Sequence, residues 1–180
     1  MLKQIVINNK LEAIDARKNS EKVTSLREIK PSIRKNGIEI LKKFLTNSSE
    51  AIIIDPFFYK GAAEQSVESY IDELKDVFSN FTSISRIHII YNQSHCNGNI
   101  RKTFIDNSNC KITDIHSSEI HDRIWIKDRK QGKLVGSSFN GLGRSKICFI
   151  VNLPKQDLID LKFFLQRKNL VPKDFLVIED

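Results

Sequence analysis

A histidine and an arginine two residues apart are the first side chains whose types could do chemistry together. They are His121 and Arg123, in the run His-Asp-Arg-Ile-Trp-Ile-Lys. Because side chains alternate faces along a strand, this run predicts both of them on one face together with Trp125, above a core-facing pair of isoleucines. A nearby fixed cation disfavours a protonated imidazole, and the neutral form can attack phosphorus. A guanidinium can hold two phosphate oxygens as a fork, so the pair predicts a phosphate site.

A second run, Gly-Ser-Ser-Phe-Asn at 136–140, is rich in small and neutral polar residues. Glycine lets a ligand approach the backbone, and hydroxyl and amide groups can donate to phosphate oxygens. A turn at 129–132 that contains glycine predicts a hairpin, which would bring the two runs together. The expected phosphate contacts from this run and the residues after it are Gly136, Ser137, Ser138, Asn140, Arg144 and Lys146.

Together the two runs resemble the signature of the phospholipase D superfamily, which is His-x-Lys, four residues, Asp, six residues, Gly-Ser-x-x-Asn. Seven residues separate the two halves here instead of six, and the extra one falls in the hairpin turn, where insertions are tolerated. The residues that match the signature are His121, Arg123, Asp128, Gly136, Ser137 and Asn140.

The resemblance implies a phosphodiesterase that needs neither a metal nor another cofactor. The basic N-terminal arm and the basic hairpin turn make nucleic acid the leading substrate. In this family one histidine attacks phosphorus to give a phosphohistidine, and a second histidine protonates the leaving group. The resemblance makes His121 the nucleophile and Arg123 and Asn140 the phosphate ligands. Because the chain has a single motif, the resemblance also implies a homodimer whose two copies of His121 share one site.

Two departures from the family pattern keep alternatives open. Arginine stands at 123 in place of lysine, and the apolar run 147–151 lies where nuclease-type members have a carboxylate that orients the histidine. The alternatives are a non-cleaving module that binds nucleic-acid phosphates or anionic lipid headgroups, and a structural subunit of a larger complex. Trp125 also has two interpretations, stacking on a base or packing in the core. The carboxylates that could replace the orienting group are Asp55, Asp122, Asp128 and Glu119.

The elements expected to position these residues alternate between strands and helices. Amphipathic patterns predict helices at 31–45, at 65–81 and after Pro154, while 92–109 is polar and predicted to be a loop. The pattern indicates an α/β or α+β fold with a mixed sheet flanked by helices. We expect a basic helical N-terminal extension over 1–46 and a phospholipase-D-like domain over 47–180. Short apolar runs predict strands at 51–55, 87–91, 112–115, 147–151 and 175–178.

The net charge of +7 is unevenly distributed. Residues 1–46 hold 11 Lys and Arg against 5 Asp and Glu, and residues 121–146 hold 7 against 2. This pattern favours a polyanionic partner. No apolar run is long enough for a membrane span or a secretory signal. The three cysteines have no zinc-ligand spacing and fit a reducing compartment, so we expect a cytoplasmic location and no metal.

Overall fold

The computed structural model describes residues 24–26, 31–79, 84–144 and 148–171. Seven strands in these ranges form one sheet. The predicted last strand at 175–178 and Lys146 lie outside the described residues. The strands are β1 (Thr24–Leu26), β2 (Glu50–Ile54), β3 (Arg86–Tyr91), β4 (Lys111–His116), β5 (Ile124–Lys127), β6 (Gln131–Val135) and β7 (Cys148–Leu153).

Four α-helices accompany this sheet in the described ranges. Two short 3₁₀ turns, Gln93–His95 and Phe139–Gly141, follow β3 and β6 respectively. None of the described helices has the length and apolarity that crossing a bilayer would require. The helices are α1 (Pro31–Leu45), α2 (Val67–Phe78), α3 (Gly98–Asp106) and α4 (Lys155–Arg167).

The sheet is mixed, as the sequence predicts, and its strand order is β1-β7-β6-β5-β2-β3-β4. The strands β2, β3 and β4 run parallel to one another. The strand β5 pairs antiparallel with β2 and with β6, and β7 pairs antiparallel with β6 and with β1. The boundary between the parallel and antiparallel halves therefore lies between β2 and β5.

Helices cover both faces of the sheet. On one face, α1, α2 and α3 pack over alternate strand residues such as Ile53 and Trp125. On the other face, α4 packs over residues such as Ile52 and Ile126. The central strands β2 and β5 thus bury both faces, which explains why their sequences are almost wholly apolar.

Helix α1 belongs to this same domain, so the prediction of a separate extension over 1–46 is wrong for the helix. Ile38, Leu41 and Leu45 are buried in the larger core, because the apolar stripe of α1 packs against the sheet and α2. Strand β1 also pairs with β7. Apart from β1, the part of the predicted extension before residue 31 lies outside the described residues.

Candidate phosphate site

The two runs that predict a phosphate site meet at one edge of the sheet, beside the carboxyl end of β2. Ile54, the last residue of β2, pairs with Ile124, the first residue of β5. Arg123 therefore enters β5 opposite the point where the chain leaves β2. The backbone N–H of Val135, at the end of β6, donates to the Arg123 carbonyl at 2.8 Å. The Gly-Ser-Ser-Phe-Asn run consequently begins at this edge, as the predicted hairpin requires.

The Arg123 guanidinium is held in a fixed orientation. Its Nε donates to the Ser138 hydroxyl at 3.0 Å, and its Cζ lies 5.4 Å from the centroid of the Phe57 ring. Its two terminal nitrogens make no hydrogen bond to any residue that the structure describes. A guanidinium with one N–H committed to the protein keeps further donors for the oxygens of a phosphate.

A fully buried carboxylate, that of Asp55, supports this arginine. One oxygen accepts the Phe57 backbone N–H at 2.9 Å, and the other accepts the Phe139 backbone N–H at 2.8 Å. Burial raises the pKa of Asp55, while hydrogen bonds from Phe139, Ser138 and Phe57 and the charge of Arg123 act in the opposite direction. Asp55 therefore ties the loop after β2 to the loop after β6.

Asn140 lies in the 3₁₀ turn after β6, and its side chain is anchored. Its Nδ2 donates to the Gly61 carbonyl at 2.8 Å, which commits one of the two amide hydrogens. The turn is held from α1, because the buried Arg34 donates to the carbonyls of Phe139 and Leu142 at 2.9 Å and 2.8 Å. The remaining Asn140 donor is thus presented by a rigid loop. No pattern in the sequence pointed to the supporting Arg34.

His121 is exposed and precedes β5 by three residues. The strand begins later than predicted, so strand alternation does not place this histidine and it lies at the rim of the sheet. Its ring makes no hydrogen bond or ion pair with any residue in the described ranges, and none of the four candidate carboxylates holds it there. Asp128 instead accepts the backbone N–H groups of Ser49 and Glu50 at the other end of β5, and Glu119 pairs with Lys168.

Trp125 does not face a ligand, and the prediction that it stacks on a base is wrong. Its side chain is 1% exposed, and its ring is stacked parallel to that of Phe78 at 6.1 Å. The alternative interpretation, packing in the core, is confirmed, because helices cover both faces of β5. Trp125 is on the same face of the strand as Arg123, but its side chain lies within the covered part of the sheet.

Three further predicted contacts have structural partners in this chain. Ser138 is 6% exposed, so it orients Arg123 from below and does not reach a ligand directly. A Cβ at Gly136 would lie 3.1 Å from the Phe149 backbone nitrogen, so this glycine permits the close approach of β7. Arg144 donates to Gln65 at 2.7 Å, which turns its side chain toward α2. Ser137 remains half-buried, and its hydroxyl bonds the Ser138 carbonyl at 3.1 Å.

The arrangement of strands and helices is similar to that of a solved structure, NucT from Helicobacter pylori. The TM-score is 0.53 at 16% sequence identity, over 81% of this chain and 94% of NucT. The likeness shows that the two proteins share a fold. In this chain the structure brings Arg123, Ser138 and Asn140 together at one edge of the sheet.

Two other solved structures are similar at lower TM-scores. Nuc from Salmonella typhimurium, a phospholipase D family member, has a TM-score of 0.48 at 16% identity, over 82% of this chain and 94% of Nuc. TrmBL2, an archaeal chromatin protein, has a TM-score of 0.46 at 11% identity, over 93% of this chain and 64% of TrmBL2. No protein-family model matches the sequence, and no curated protein matches it.

The described residues contain no group of three or more His, Cys, Asp or Glu side chains placed to hold a metal ion. The polar groups at the site edge are instead donors: a guanidinium and an amide, beside an exposed imidazole. Such a set suits an anion with several oxygens, which is the chemistry of a phosphodiester.

Proposed function

We propose that this protein is a phosphodiesterase that cleaves nucleic acid without a metal ion. Arg123 and Asn140 bind the phosphate, and His121 attacks it. The observation that carries the proposal is the fixed Arg123 guanidinium, bonded to Ser138 above the buried Asp55, two residues from an exposed imidazole. A rigid cation next to an accessible nucleophile is the arrangement that in-line attack on a phosphodiester requires.

Nucleic acid is the preferred substrate because of charge. The chain has 29 Lys and Arg against 22 Asp and Glu, and residues 121–146 are strongly basic. Positive charge around a phosphate site attracts a polymer that carries a phosphate at every residue. A small phosphorylated molecule would not need charge beyond the site itself.

The second imidazole that the reaction needs would come from a second copy of the chain. An exposed His121 at the rim can face the partner's His121 across a two-fold axis. A nitrogen of His121 forms a bond to phosphorus while the bond from phosphorus to the leaving oxygen breaks. The partner's His121 gives its proton to that oxygen. It then takes a proton from water, which attacks the phosphohistidine and releases the product and the histidine.

The test is cleavage of single-stranded and double-stranded DNA and RNA in the presence of EDTA. We expect His121→Ala to abolish cleavage and to retain binding, because Arg123 and Asn140 remain. The matched control is His116→Ala, which removes another exposed histidine at the end of β4 and should cleave normally. Cleavage that depends on added metal, or that persists in His121→Ala, would contradict the proposal.

A second candidate function is binding without cleavage, to nucleic-acid phosphates or to anionic lipid headgroups. It is favoured by the lack of any carboxylate bonded to His121 among the described residues, since an unoriented imidazole is a poor nucleophile. In that case no substrate is cut, whereas Arg123→Ala still weakens retention on DNA or on vesicles with anionic lipids. Binding should then fall steeply with salt. In either case we infer a cytoplasmic location from the free cysteines.

A further inference from the structure

An aromatic pair lies next to the phosphate site and has no place in the motif. Phe57 follows the buried Asp55, which accepts its backbone N–H, so the ring position is fixed by the end of β2. The His95 ring is stacked on it, with centroids 4.3 Å apart and an angle of 22° between the planes. Both side chains are half-buried, so part of this stacked pair is open to solvent.

His95 is itself held in place. It ends the 3₁₀ turn after β3, and its backbone N–H donates to the Asn92 carbonyl at 3.1 Å. The Asn92 backbone N–H in turn donates to the Pro56 carbonyl at 3.1 Å. The turn that carries the imidazole is thus tied to the same corner that carries Phe57. The pair is preorganised, so stacking of a ligand on it costs little ordering of the protein.

Two cations flank the Phe57 ring. The Arg123 guanidinium lies 5.4 Å from the ring centroid, and the Lys60 ammonium lies 5.4 Å from it as well. Lys60 is exposed. The phosphate-binding arginine and a second, accessible cation therefore both border the aromatic pair. A nucleic-acid strand offers the complementary order, in which flat bases alternate with charged phosphates.

We propose that His95, stacked on Phe57, receives a nucleobase next to the phosphate held by Arg123, while Lys60 attracts a neighbouring phosphate. The inference rests on the proposed function and adds to it that the site binds an unpaired base as well as the backbone. Stacking of this kind tolerates any base, because each base has a flat π face. The site therefore prefers strands with bases over bare phosphate polymers.

The test compares two fluorescein-labelled DNA strands that carry the same number of phosphates, one with bases and one in which every nucleotide is abasic. Fluorescence anisotropy gives both affinities in the His121→Ala background, so that neither strand is cut. We expect the strand with bases to bind roughly five- to thirty-fold more tightly. His95→Ala should remove most of this preference, and His95→Phe should keep it because the ring remains.

The controls separate stacking from charge. Phe163→Ala removes a solvent-exposed aromatic ring on α4 and should leave the preference unchanged. Arg123→Ala should weaken the binding of both strands by similar factors. Phe57→Leu keeps the apolar volume beneath His95 and should reduce the preference. An unchanged preference in His95→Ala would overturn the inference.

Each of the two proposals can be contradicted while the other holds. If the wild-type protein cuts nothing in EDTA but His95→Ala abolishes the preference for bases, the phosphodiesterase proposal alone is lost. If it cleaves in EDTA through His121 and the preference does not depend on His95, the stacking inference alone is lost.

Discussion

The Ser138 hydroxyl lies between the Arg123 guanidinium and the Asp55 carboxylate, and it is buried. It accepts from the arginine and donates to the carboxylate, so it fixes the direction of the phosphate-binding group. Ser137 next to it donates to the Ser138 carbonyl and has a hydrogen bond with the buried Cys148 thiol, so it contacts neither the arginine nor the carboxylate. Of these two adjacent serines in the same motif, only Ser138 orients the arginine.

We expect Ser138→Ala to weaken binding of a labelled DNA strand about five-fold and to lower the free energy of unfolding by about 1–2 kcal/mol. The reason is that a buried carboxylate and a guanidinium each lose a hydrogen-bond partner. Ser137→Ala is the matched control and should change both quantities less. Anisotropy and thermal unfolding provide the two measurements, and equal effects of the two substitutions would argue against a special role for Ser138.

The residues of the motif could be predicted from the sequence, because their types and spacing carry the chemistry. The roles of the residues that support them could not, since the sequence suggested Asp55 only as a partner of His121. Asp55 and Phe57 are more than sixty positions before Arg123, and only the pairing of β2 with β5 brings them together. Trp125 was misassigned because alternation distinguishes two faces of a strand but does not say that both are covered.

Among the elements, β2 is held at its other end by the Glu50 side chain as well as by Asp128. Glu50 accepts from Arg129 in the β5–β6 turn at 2.6 Å and lies 3.3 Å from the buried His88 of β3. Arg86 lies 3.8 Å from it. Burial acts to raise the pKa of Glu50, but hydrogen bonds and charges from His88 and Arg129 prevail and lower it to about 2. One carboxylate thus connects three elements of the sheet.

This carboxylate predicts a pH dependence of stability. Because the pKa of Glu50 is lower in the folded chain than its ordinary value of 4.5, its contribution is complete above pH 4.5 and is lost as the pH falls toward 2. Glu50→Gln should lower the free energy of unfolding by about 2–3 kcal/mol at neutral pH. The difference from wild type should shrink across that acid window.

Chemical denaturation at a series of pH values measures this difference. The control Glu119→Gln removes one partner of an exposed ion pair with Lys168, and such pairs contribute little. A gap between wild type and Glu50→Gln that stays constant down to pH 2 would show that the carboxylate contributes through packing and not through its charge.

The sequence predicted three of the four described helices and missed α3. The predicted helix at 31–45 has the same bounds as α1. Helix α3 was predicted to be a loop, because its run of Asn, Ser and Gly resembles a turn region. Its available signals were Asn97, whose side chain caps the helix, and the buried pair Ile100 and Phe104 at helical spacing.

At the scale of the whole molecule, the site lies at the rim where the parallel and antiparallel halves of the sheet adjoin. The sequence predicted a mixed sheet, but not its strand order, because register and neighbours depend on contacts between distant segments. His121 is exposed at this rim. This placement fits the proposed dimer, in which a second copy completes the reacting groups.

We predict that excess His121→Ala protein suppresses the wild-type activity when the two are mixed and allowed to exchange subunits. In a shared site a mixed dimer has one histidine and cannot complete the reaction, so activity should fall with the fraction of mixed dimers. Cleavage assays of the mixture measure this, with an equal mass of an unrelated protein as the control. Activity that simply follows the amount of wild-type chain would show that one chain acts alone.

Trp125 is the single tryptophan of the chain, and it lies in the core two residues from Arg123. Its indole is 1% exposed and parallel to the Phe78 ring, so its emission should be blue-shifted in the native state and should move to longer wavelength when β5 is released from the core. Intrinsic fluorescence therefore monitors the strand that presents the arginine, without any label. A variant with weak binding and native emission has lost a contact, whereas one with red-shifted emission has lost the strand.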